Sequence, residues 1–476
     1  TYNNDLFLRK RSYFCSNNKQ IKVQINQIKV MTKQDKKLSI IPFVILVVIS
    51  ILGLIFDGKP ATIETEGLDT GDIAWMLVAS ALVLLMTPGL ALFYGGMVNA
   101  KNLISTMLQS FICMGIISVL WVVVGFSLAF GDDIGGFIGN PATHFMFKGV
   151  LDGKPWIGAS SIPLALFAFF QLKFAVITPA LITGSFSERV KFTSYILFAC
   201  LFSILIYAPL AHWTWHPEGF LAQLGVLDFA GGTVVHISAG CAALAAALYL
   251  GKRKTPVVSE PANIPYVLIG TGLLWVGWFG FNAGSAAGAS ALAVSAFAVT
   301  NTAAAAAGIA WVLFDAVRGK APSAMGFCIG VVVGLVAITP AAGFVTIPVS
   351  IFIGVLASVV SNVMVAWRAR TGIDDTLDVF PCHGIGGISG MLLTGIFATS
   401  AINSGVSEEG LFYGEASLFL KHLLALVIVF AFAFGGSYLL LIVTNLISPL
   451  RVSEEDEKLG LDLSQHGEKL IWGNAD

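Results

Sequence analysis

The chain has 476 residues, 56% of them hydrophobic and only 12% charged, with a mean hydropathy of +0.83, whereas about a quarter of a soluble domain is charged. That balance excludes a cytosolic globular enzyme, and the glycines follow no three- or seven-residue period that would mark collagen or a coiled coil. The formal net charge of -1 hides a segregation, with bases crowded before Leu38 and acids gathered after Arg451, and no folded basic patch of the kind nucleic acid needs.

Residues 1–30 show neither apolar periodicity nor turn logic and read as a non-native or upstream extension. Met31 opens MTKQDKK and the apolar run Ile40 to Phe56, the order of a charged n-region and a hydrophobic core. Residues 31–60 are therefore either a signal peptide, with a poor cleavage site around Pro60 and Ala61, or an uncleaved helix. Windows of spanning length then recur at 73–94, 103–130, 161–184, 193–211, 232–250, 264–283, 291–315, 322–338, 344–366, 381–398 and 417–446. They are apolar on every side rather than alternating, so helices are expected and a barrel is not. The fold class is an all-α integral membrane bundle of eleven helices over 71–447, followed by an acidic tail at 448–476.

Basic residues recur in every second loop: Lys101, then Arg189 and Lys191, then 252–254, then Arg318 and Lys320, then Arg368 and Arg370. Those loops are expected to be cytoplasmic, which puts the mature amino end outside and the tail inside. Two echoes point to an internal repeat. ITPA occurs at Ile177–Ala180 and Ile338–Ala341, and LDFAGGTVVH at Leu227–His236 is echoed by LDVFPCH at Leu377–His383. Each pair lies five helices apart, and an odd number of crossings inverts the second half, as in many transporters. The eleventh helix would brace this five-plus-five repeat.

His236 is expected about two turns into the fifth span and His383 opens the tenth, at equivalent positions. An ionisable group within a membrane is costly and marks function by default. Two imidazoles brought together could hydrogen-bond as donor and acceptor beside a narrow polar path, or they could be packing histidines. A metal site is disfavoured, for no third ligand stands at a zinc-type spacing. Asp228, eight residues before His236, is either a helix cap or a carboxylate that favours a cation at the mouth of the path, and the two roles are compatible. Phe174, Trp215 and Phe281, with Ser285 one turn further on, could form an aromatic cage with a hydroxyl, suited to a desolvated cation. Six cysteines, Cys15, Cys113, Cys200, Cys241, Cys328 and Cys382, stand far apart and suggest no disulfide frame.

From about Gly71 to Glu468 the chain resembles the ammonium transporters of the ammonium transporter/Rhesus family. The strings ALFYGGMVNAKN, AHWTWH, DFAGGTVVHISAG, GWFGFNAGSA, DVFPCHGIGG and RVSEEDEKLGLDLSQHGE carry the resemblance. It implies a homotrimer with one pore per subunit, and substrate binding by Phe174, Trp215, Ser285 and Asp228. It further implies a gate of Phe174 and Phe281, and a pore lined by the twin histidines His236 and His383. Trp215 favours the ammonium-transporter branch. The tail, by the same resemblance, contacts neighbouring subunits and a PII-type regulator.

Ammonium and potassium share size and charge, so discrimination needs hydrogen-bond geometry or the proton itself. An ammonium deprotonated at the gate could send neutral ammonia through an apolar passage that is costly for an ion. The expectation is thus a non-enzymatic, cofactor-free inner-membrane ammonium transporter, with an ammonium sensor or a Rhesus-type neutral gas channel as alternatives. Two features depart from the family pattern: Lys173, a charge beside Phe174, and His216, in a loop one residue longer than usual.

Overall fold

The computed structural model describes residues 33–56, 67–152, 154–254 and 260–470. The expectations for residues 1–30 and for cleavage near Pro60 lie outside them. Helix α1 (Lys33–Phe56) carries the first apolar run. The bundle follows as α2 (Thr70–Met97), α3 (Ala100–Phe130), α4 (Leu164–Phe186), α5 (192–215), α6 (Gly232–Leu250), α7 (Ile264–Gly284), α8 (Ala291–Val317), α9 (Ala324–Ile338), α10 (Ile347–Arg368), α11 (Phe380–Phe397) and α12 (Ser417–Ile447).

Among the described residues ten helices are long and apolar enough to cross a membrane. The expected window 322–338 is the exception, because α9 has 15 residues, or about 22 Å of helix against a hydrocarbon core of ~30 Å. Its start is set by Ser323, whose hydroxyl accepts from the Gly326 N–H at 2.9 Å. Just beyond its end lies Pro340, which has no N–H to carry the ladder onward. The chain then turns through 339–344 before α10.

The most buried spans are α4 and α6, 78% and 83% buried, against 33% for α12. They form the centre of the bundle, and the exposed leucines, valines and phenylalanines of α8, α10 and α12 form its apolar outer face. Helices α6 and α11 cross at two glycines. A Cβ on Gly240 would sit 2.3 Å from both N and Cα of Gly384, so the backbones meet with no room for a side chain. Both histidines lie beside this crossing, each in a widened π-helical turn, Gly232–Ile237 and Phe380–Gly384. Such turns cluster at functional sites. His236 is thus about one turn into α6 rather than two, because that helix begins only at Gly232.

At one end of the bundle the loops are fastened by charge. Arg253 reaches Asp374 through Nε and Nη2 at 3.0 Å and Glu188 through Nη1 at 2.6 Å. Arg189 pairs with the same Asp374. Burial alone would raise the Asp374 carboxyl, but the two guanidiniums outweigh it and hold it below the usual range. The tail closes over this end in two short helices, α13 (Glu454–Leu459) and α14 (Leu461–His466). Lys101 Nζ donates to the carbonyls of Glu457 and Lys458 at 3.1 and 2.9 Å. Asp462 accepts from the backbone N–H groups of Ile104 and Ser105, near the start of α3, at 3.0 and 2.8 Å.

Candidate substrate path

At the opposite end, a hairpin of β1 (Asp133–Ile134) and β2 (Ile138–Gly139) sets Asp133 against His212 of α5 at 2.8 Å. Beneath it lies a cavity of about 140 Å³ lined by Phe170, Gln171, Phe174, Trp215, Ser285 and Trp156, among others. Three residues picked from the sequence therefore share one chamber: Phe174 from α4, Trp215 from α5 and Ser285 from the cap of α7. Trp215 rather than its neighbour Trp213 faces it. Trp213 packs between Phe220 and Phe432 and donates to the Phe137 carbonyl at 2.7 Å. The extra loop residue, His216, stacks on His212 at 4.3 Å and is buried. Lys173 is not part of the chamber wall. Its ammonium lies 5.7 Å from the ring of Phe169, an exposed residue, because adjacent residues on a helix do not share a face.

Asp228 does not line the chamber. Its carboxylate is spent on the start of α6, accepting from the N–H groups of Gly231 at 2.8 Å, Gly232 at 2.6 Å and Thr233 at 2.7 Å, and from the Thr233 hydroxyl at 2.5 Å. Four donors on one carboxylate satisfy the orphan N–H groups of a helix start. The Asp228 carbonyl in turn accepts from the Trp215 indole at 3.1 Å. The Asp228 backbone therefore helps hold Trp215 in place.

Below the chamber the rings form a column. Phe174 meets Phe281 with centroids 4.3 Å apart, and Phe281 stacks on His236 at 5.9 Å. His236 is also stacked on Trp278 at 5.4 Å, whose indole is anchored to the Thr339 hydroxyl at 2.8 Å. The two imidazoles face each other with Nδ1 atoms 3.4 Å apart, so any bond between them needs one ring as donor and the other as acceptor. His236 Nε2 is buried with no hydrogen-bond partner. His383 opens on a constriction of about 10 Å³ lined by Tyr94, Leu377 and Cys382. Asp375 caps the start of α11, accepting from the Phe380 N–H at 2.8 Å, and burial pushes its carboxyl up.

Trp156 and Gln171 are among the chamber residues that sequence reasoning passed over. Trp156 comes from the loop before α4 and stacks on Phe167 at 5.5 Å, a placement no helical period announces. Gln171 had a signal, since a lone amide inside an apolar span is costly there.

A multi-pass helical membrane protein with an aromatic chamber above a buried histidine pair is a class of transporter or channel. The chain matches the profile of the Ammonium Transporter Family over residues 74–470. It is 47% identical over 400 residues to the ammonium transporter of Bacillus subtilis, covering 84% of this chain and 98% of that protein. To the ammonium transporter of Aquifex aeolicus it is 48% identical over 404 residues, covering 84% and 93%. Among solved structures, Mep2 of Saccharomyces cerevisiae superposes with a TM-score of 0.77 at 35% identity, over 82% of this chain and 89% of that one. A chain described as a sensor Amt protein superposes with a TM-score of 0.76 at 30% identity, over 83% and 98%. The chain belongs to the Ammonium Transporter Family.

Proposed function

We propose that this protein recruits ammonium in the outer chamber, removes its proton at the Phe174 and Phe281 pair, and conducts ammonia past His236 and His383 into the cytoplasm. The observation that carries the reading is the unbroken column from chamber to Phe174, Phe281, His236 and His383, with successive ring centroids 4.3, 5.9 and 5.5 Å apart. An aromatic chamber suits a cation, and a stacked apolar gate suits only what has shed its charge. The histidines guide ammonia and offer a separate relay for the proton, which makes transport electrogenic.

In this reading α2 to α12 are eleven spans, with α9 completed by the turn after it, and the histidine crossing is the axis of an inverted repeat. The end carrying Lys101, Arg189, Arg253 and Arg368 faces the cytoplasm of the inner membrane, and the mature amino end lies outside. Residues 31–60 are a signal peptide or an uncleaved helix, 71–447 the transport domain and 448–476 a cytoplasmic tail. Three chains form a trimer, and the tail is the docking place of a PII-type regulator. The likeness to a sensor protein favours one second reading, in which the chamber binds ammonium and little passes.

The test places purified protein in liposomes and records charge movement after an ammonium jump, for wild type, Asp228→Ala and His383→Ala. The proposal expects a wild-type current, lost or strongly reduced in both variants. No wild-type current would favour the sensor, and undiminished current in both variants would refute the assigned roles.

A further inference from the structure

We propose that His422 is a positioning residue of the transport path, tying the loop that carries Asp228 to α11 and thereby fixing Trp215 in the chamber wall. This rests on the proposed reading of the chamber as the ammonium site. His422 stands in the second turn of α12 and is fully buried. Its Nδ1 lies 2.7 Å from the Met391 carbonyl of α11, and its Nε2 accepts from the Leu227 N–H at 3.1 Å. A carbonyl can only accept and a backbone N–H can only donate, so the ring is held neutral with its proton on Nδ1. Gly395 makes room for this approach: a Cβ there would sit 3.3 Å from both Cβ and Cγ of His422, closer than carbon atoms rest.

Leu227 belongs to a segment without helix or strand, residues 226–229, whose backbone is fastened by single bonds to separate places. The Val226 N–H donates to the Leu221 carbonyl at 3.0 Å, the Leu227 N–H to His422, and the Phe229 N–H to the Pro340 carbonyl at 3.1 Å. Between the last two lies Asp228, whose carbonyl holds the Trp215 indole at 3.1 Å and whose carboxylate caps α6. His422 therefore reaches the chamber through one neighbouring residue. Freeing the Leu227 N–H lets the Asp228 carbonyl shift and Trp215 with it, while the bonds of the carboxylate keep the start of α6. A histidine that only filled space would be replaceable by any side chain of its volume. Two directed bonds, to two different elements, are what packing does not require.

The test compares half-saturating ammonium concentration and maximal current for the full chain in liposomes. The rise in melting temperature that ammonium brings to the solubilised protein reads the same affinity without current. His422→Asn keeps a donor for the Met391 carbonyl but is too short to reach Leu227. It is expected to raise half-saturation about fivefold, the scale of one hydrogen bond, with maximal current within about twofold. His422→Met fills the space with neither bond and should raise half-saturation at least as much. His422→Gln offers a donor and an acceptor at comparable reach and should restore it to near wild type. In a Trp215→Phe background the effect of His422→Asn should vanish, because both changes act on one contact. Unchanged half-saturation in His422→Asn and His422→Met, an equal rise in both backgrounds, or no restoration by His422→Gln would overturn the assignment and leave His422 a packing residue. Those outcomes leave the parent reading standing. A wild-type protein with neither current nor ammonium-induced stabilisation overturns the parent reading and this one with it, so the two failures are distinguishable.

Discussion

Replacing Gly240 by Ala puts one methyl group into the crossing of α6 and α11. The new Cβ would lie 2.3 Å from Gly384 N and Cα, whereas carbon atoms rest at about 3.5 Å or more. The helices must therefore part by about 1.2 Å, because the opposing atoms are backbone and have no rotamer to retreat into. Alanine gains up to about 1 kcal/mol of helix propensity over glycine. Overpacking of a tight core costs about 1–3 kcal/mol, occasionally more, so the steric term wins. The functional cost is larger than the energetic one. His236 lies four residues before Gly240, and His383 immediately before Gly384, so the same parting stretches their 3.4 Å separation to about 4.6 Å, beyond hydrogen-bond reach. Detergent-solubilised Gly240→Ala should melt several degrees below wild type, and its ammonium-evoked current in liposomes should fall at least tenfold. Wild-type melting together with wild-type current would refute the claim that this glycine contact sets the histidine geometry.

Two further outcomes follow from the same geometry. Trp213→Phe and Trp215→Phe should separate cleanly in liposome assays: the first loses its bond to the Phe137 carbonyl and about 1 kcal/mol of stability with little change in half-saturation. The second raises half-saturation severalfold, as a chamber wall is altered. Asp374 has a folded pKa below the ordinary 3.8, so its stabilising effect is complete above that pH and drains away as the pH falls below it toward the folded value. Melting temperatures followed from pH 7 to pH 3 should drop less steeply on the acid limb in Asp374→Asn than in wild type, and parallel limbs would refute the pairing with Arg189 and Arg253.

Continuous apolar runs made most spans legible in the sequence, since a helix buried in lipid or in its neighbours needs no amphipathic stripe. Their ends depended on caps and prolines, which is why α9 is shorter than its hydropathy window. The meeting of His236 and His383 was legible because two similar strings, each ending in histidine, recur at matching places. The work of Asp228 was not: a carboxylate that caps a helix and one that faces a cation look alike until its four donors are counted. Lys173 raised a concern that helix geometry answers, for about 100° of rotation separates it from Phe174. Trp156 could not be found by period or spacing, because loop residues reach a chamber through tertiary packing alone.

The strap formed by the tail has a consequence for how the molecule comes into being. Lys101 is grasped by carbonyls 356 and 357 positions further along the chain, and the amides at the head of α3 wait equally long for Asp462. During synthesis this end of the bundle stays unlatched while ribosome and insertion machinery deliver every intervening helix, and loop-closure entropy weighs against any early meeting. Latching is thereby a late step of biogenesis, and a chain halted before Glu457 would leave Lys101 and the amides near the head of α3 without these partners.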